Sequence, residues 1–131
     1  MEVLRVVLAA AAAYAFGAVW YMLWAKPWVA AAGVATDDQG RPAHMGDKMP
    51  FVVSGVCALL VAGMMRHVFM FGGIDTPLAG LVAGLGMGLF IATPWLATNY
   101  AFAGRPRMLT LIDGGYATGG CTLMGLVLTL L

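Results

Sequence analysis

The sequence predicts an all-α membrane protein of four transmembrane helices, and three observations carry that expectation. Only 10% of the 131 residues are charged while 62% are hydrophobic, whereas a soluble domain carries roughly 25% charged residues. The mean hydropathy is +0.89, so lipid rather than water must cover most of the surface. Four apolar runs of about the 20 residues that cross a bilayer are parted by charged or glycine- and proline-bearing joints. Backbone groups in lipid must bond within their own segment, so these runs are helices. The whole chain reads as one domain, residues 1–131.

The first span, about residues 4–25, is uncharged from Val6 to Ala25. Its early Arg5 and its alanines Ala9 to Ala13 resemble a signal peptide. Glu2 offsets that charge, however, and the run ends in Trp20, Tyr21 and Trp24 instead of a small-residue cleavage site, so retention is expected. Residues 26–48 form the only long loop, with Asp37, Asp38, Gly40, Pro42 and Gly46. The second span, 49–69, starts after Lys48 and holds Arg66 near its far end. A turn at Gly72-Gly73 leads to the third span, 76–101, and Arg105-Pro106-Arg107 leads to the fourth, 108–131.

Charge in the joints sets the expected orientation. Lys26, Arg41, Lys48, Arg105 and Arg107 lie on one side, against Arg5 and Arg66 on the other. Positive residues favour the cytoplasm, which places both termini outside it. The tryptophans Trp20, Trp24, Trp28 and Trp95, with Tyr21, fall toward the positive side as an interfacial belt. A net charge of +1 gives no basic field, so no nucleic-acid partner is expected.

The two halves share short motifs in the same order. Ala25-Lys26-Pro27-Trp28 matches Ala92-Thr93-Pro94-Trp95, Gly40-Arg41-Pro42 matches Gly104-Arg105-Pro106, and Ser54-Gly55-Val56-Cys57 matches Thr118-Gly119-Gly120-Cys121. A duplication gives two parallel helix-hairpin repeats. Chance recurrence in a chain rich in glycine, alanine and leucine gives the same matches, and both readings stand.

Asp113 is the most informative single residue, because a carboxylate in hydrocarbon is costly and usually faces a protein interior or cavity. Tyr116 follows one helical turn later, Asn99 and Thr98 lie near the same membrane face, and Arg105, Arg107 and Lys26 offer counter-charge. This set is the candidate polar or ligand site. One reading makes Asp113 a structural clamp between spans three and four; the other makes it a proton or ligand site.

Gly80, Gly84 and Gly88 recur at four-residue spacing, and Gly115 with Gly119 gives the fourth span a similar face. Such small-residue faces let helices approach closely, within the bundle or between copies. Thr93-Pro94 kinks the third span. Met64, Met65, His67 and Met70 offer soft ligands that suit Cu(I). Methionine is also ordinary packing material, so no metal and no cofactor is expected. His44 sits in the long loop, away from His67, which leaves no two-histidine haem pair at one helix end. Cys57 and Cys121 lie in apolar runs and form neither a disulfide framework nor a zinc spacing.

Several of these pieces together resemble a known family. Gly17-Ala18-Val19-Trp20-Tyr21, then Lys26-Pro27-Trp28 and Gly33, look like its first-span signature. Arg105-Pro106-Arg107, Leu111-Ile112-Asp113-Gly114-Gly115-Tyr116 and Met124-Gly125 look like its last-span signature. The family is the uncharacterised bacterial membrane proteins of domain-of-unknown-function family 1761. The resemblance implies a four-span inner-membrane protein of this size and implies no activity.

No serine stands beside a histidine and an aspartate, and no glycine-rich phosphate loop is present, so an enzyme is not expected. The leading expectation is a small non-enzymatic inner-membrane protein that works as an oligomer or beside a membrane-protein partner, within the lipid bilayer. The alternative is a small-solute or proton transporter or channel built by oligomerisation around Asp113.

Overall fold

The structure, a computed structural model, describes residues 1–43 and 46–131. It is all-helical, with no strand among the described residues. The helices are α1 (Glu2–Leu23), α2 (Ala25–Ala32), α3 (Met49–Gly72), α4 (Pro77–Phe102) and α5 (Arg107–Leu130). All but α2 are long and apolar enough to cross a membrane, so the chain carries four membrane spans.

The expected loop 26–48 is a loop only after its start, because α2 occupies Ala25–Ala32. Proline 27 explains the break. In a continuous helix its ring would collide with the Leu23 carbonyl and its missing N–H would cost a bond. The chain turns instead at Trp24 (φ −107°, ψ 19°), which puts Pro27 in the first turn of a new helix, where amides have no helical partner. Beyond α2 the chain folds back on itself, with Ala43 N–H donating to Ala35 O at 2.8 Å. The Asp37 carboxylate accepts the amides of Arg41 and Gln39 at 3.0 and 2.9 Å, and these bonds, Arg41 first, hold its carboxyl below the usual range. His44 lies outside the described residues.

In α4 the second proline has a different effect. The helix passes through one π-helical turn, Gly88–Ala92, in which Thr93 N–H reaches back to Gly88 O. The wide turn comes immediately before Pro94, which has no N–H to donate, and the helix continues to Phe102. The matched motifs of the two halves agree elsewhere: Gly40 (φ +77°) and Gly104 (φ +68°) both take the left-handed conformation before Arg-Pro, which glycine adopts without steric cost.

Helix α5 is the hub and packs against all the others. In its most apolar window 44% of residues are buried, against 17–22% in the other three spans. On one flank, Ala9, Ala10 and Ala13 of α1 meet Ala58 and Ala62 of α3, with Met65, Phe69, Met124 and Leu128 filling the space between. On the other flank, α4 lies backbone-on-backbone against α5. A Cβ at Gly80 would strike Thr129 and the Gly125 carbonyl, one at Gly84 the Cys121 carbonyl, and one at Gly88 the backbone of Thr118. Small residues allow this approach, and dispersion rather than the hydrophobic effect then holds the pair in lipid. At the end away from the basic joints, Glu2 pairs with Arg66, and Arg5 Nη2 donates to the Leu131 carbonyl at 2.7 Å.

Candidate functional site

Asp113 is held by side chains from three other helices. Tyr21 of α1 donates its hydroxyl to Oδ1 at 2.5 Å, Trp28 of α2 donates Nε1–H to Oδ1 at 3.1 Å, and Tyr100 of α4 donates its hydroxyl to Oδ2 at 2.5 Å. The chain turns at Trp24, and α2 then packs against α5 with Trp28 in reach of Asp113. The α4–α5 turn brings Tyr100 into reach as well, 13 residues before Asp113.

Aromatic rings cluster beside this half-buried carboxylate. Tyr21 meets Trp28 and Tyr116 edge-on, at centroid distances of 6.1 and 5.4 Å. Phe16 stacks on Tyr116 at 6.3 Å. Trp20 donates Nε1–H to the Ile112 carbonyl at 2.9 Å. Glycine makes room for these rings, since a Cβ at Gly17 would meet Tyr116, one at Gly115 would meet Trp20 and one at Gly119 would meet Phe16. Arg105 donates to the Ala32 carbonyl, where a cation suits the C-terminal end of α2.

The polar set expected around Asp113 is therefore redistributed. Tyr116 faces α1 and joins the aromatic cluster. Thr98 is exposed and donates to the Pro94 carbonyl at 2.9 Å, and Asn99 is exposed. Arg105 is engaged at α2, while Arg107 and Lys26 are exposed and pair with no carboxylate among the described residues. Tyr21 and Trp28, expected as interfacial anchors, are partners of Asp113; Trp24 (42% exposed) and Trp95 (69%) face outward. Tyr100 completes the site without having been expected there from the sequence. It lies two residues before the end of α4 and Asp113 six residues into α5, so residue spacing from the turn does not pair them; the tyrosine side chain spans the offset.

The sulfur and imidazole set does not converge. Met65 is buried in the core at 3% exposure, whereas Met64 and Met70 are exposed at 61% and 62%. His67 packs edge-on against Phe71 at 4.8 Å. Among the described residues no group of three or more His, Cys, Asp or Glu side chains is placed to hold a metal ion.

A carboxylate offers about four lone-pair positions, and three donors occupy the oxygens of Asp113. The arrangement joins α1, α2, α4 and α5 through one acid. The family described as protein of unknown function, DUF1761, matches residues 4–129. No curated protein and no solved structure matches the chain.

Proposed function

The chain belongs to the DUF1761 family, and from that premise we propose that it is a non-enzymatic component of the inner membrane, acting as an oligomer or as accessory to a membrane-protein partner. The engagement of Asp113 carries this reading. Both oxygens of the acid serve the protein's own helices, through Tyr21, Trp28 and Tyr100. An intramembrane acid so engaged contributes cohesion, since each partner lost would leave a polar group unsatisfied in a poorly hydrated place.

A second reading, a proton or small-solute pathway assembled by oligomerisation around Asp113, draws on the π turn at Gly88–Ala92, because such turns are frequent at functional sites. Two measurements on protein extracted with its native lipids separate the readings. The first is the mass of the particle relative to one chain. The second is acid flux into vesicles containing the wild type or Asp113→Asn. The accessory reading expects an assembly larger than one chain and no flux that depends on Asp113. A monomer, or a flux abolished by Asp113→Asn in a folded protein, overturns it.

A further inference from the structure

An apolar groove of about 740 Å³ runs along the lipid-facing side of α5, between α1 and α4. Phe16 and Trp20 form one wall, Leu85 and Leu89 the other, and Thr118 and Thr122 lie on the floor. We propose that this groove seats one acyl chain of an anionic phospholipid, with the lipid phosphate held by Arg107. The proposal is independent of the role of Asp113.

The groove's chemistry selects a hydrocarbon chain. Of its four threonine hydroxyls, three are already bonded inside the protein: Thr93 and Thr118 to each other at 3.1 Å, and Thr122 to the Thr118 carbonyl at 2.7 Å. A polar solute would find few groups to bond, whereas an acyl chain needs none. Its shape argues against a helix. The floor glycines that would admit a second backbone, Gly115 and Gly119, lie under the Trp20 and Phe16 rings. A helix is about 10 Å across and needs such small positions free for close approach. From Thr110 to Leu126 the lining residues of α5 span about 24 Å at 1.5 Å per residue. That exceeds one leaflet, half of a hydrocarbon core about 30 Å thick.

Charge complementarity selects the headgroup. Arg107 begins α5 one turn before Leu111, which lines the mouth of the groove. Residues four apart share a helix face, so Arg107 stands over that mouth. Its side chain is exposed and enters no ion pair among the described residues, unlike Arg105, which is committed to Ala32. The α5 N-terminus adds partial positive charge at the same place. Across the mouth, Trp24 lies 5.8 Å from Trp20 and is 42% exposed, as an aromatic at headgroup level would be. A guanidinium matches phosphate with two parallel N–H bonds.

The test is native mass spectrometry of the detergent-purified full chain, mixed with equal amounts of dioleoyl phosphatidylglycerol or dioleoyl phosphatidylcholine. The expected result is one phosphatidylglycerol retained per chain, several-fold over phosphatidylcholine. Arg107→Gln should erase the headgroup preference. Leu85→Trp, which fills the groove from its exposed wall, should lower retention of both lipids, and Leu89→Trp serves if that variant does not fold. Equal retention of the two lipids by the wild type overturns the proposal. So does a preference that survives Arg107→Gln, or retention unchanged in the groove variants. A lipid-free dimer dispersed by Leu85→Trp would assign the groove to a second copy and overturn it as well.

Discussion

Tyr100 and Asp113 face each other across the turn between α4 and α5, the tyrosine hydroxyl donating to Oδ2 at 2.5 Å. Tyr100→Phe keeps the ring and deletes only that donor. The site is half-buried, so the loss should be about 1 kcal/mol, the lower end of the range for an unpaired polar group, and Tyr21→Phe should cost a similar amount. Asp113→Leu, which strands three donors at once, should cost more than either. Melting curves in detergent measure all three, and a Tyr100→Phe protein that melts with the wild type would show that the bond contributes nothing.

The glycines of α4 should divide sharply. Gly84→Ala drives a methyl group into the backbone of Cys121 and should destabilise by about 1–3 kcal/mol through overpacking. Gly86→Ala meets nothing within 4 Å and should be neutral or stabilising by up to about 1 kcal/mol, since alanine is the better helix former. Equal melting temperatures for the two variants would contradict the backbone contact between α4 and α5.

The methionines at the end of α3 should separate in the same way. Met65 is 3% exposed, and Met65→Ala should cost about 2–5 kcal/mol as a core truncation. Met64→Ala and Met70→Ala should stay within about 0.5 kcal/mol, as outward-facing changes usually do. Chemical denaturation in mixed micelles gives the three values, and comparable losses at all three sites would point to a shared role that packing does not explain.

Both termini are expected outside the cytoplasm, because five Lys and Arg residues lie in the joints of one side against two on the other. Periplasm-active reporters fused after Leu131 should be active, and those inserted between Val34 and Gly46 silent. The reverse pattern would invert the orientation and leave the span count untouched.

The four spans, their approximate limits and the glycine face of α4 were legible in the sequence. Insertion into lipid depends on the length and polarity of each run, and small residues at four-residue spacing mark one face of a helix whatever lies against it. The α2 helix was legible only in part. Pro27 marks a break, but whether the chain then unwinds or restarts depends on what the next turn packs against. The two prolines show the limit, because Pro27 ends a helix while Pro94 sits after a π turn within one.

That Asp113 needs partners followed from the sequence alone, since a carboxylate in a span is costly wherever it points. Which partners it has was decided by the tertiary structure. Tyr21, Trp28 and Tyr100 lie 92, 85 and 13 residues away along the chain. They converge because each helix has one rotation about its axis in the bundle, set for α1 by its alanine face against α3 and α5 and for α4 by its glycines against α5. Tyr116, one turn along α5, faces α1, and Asn99, one residue before Tyr100, is exposed; a position along one helix fixes depth and leaves rotation to the packing.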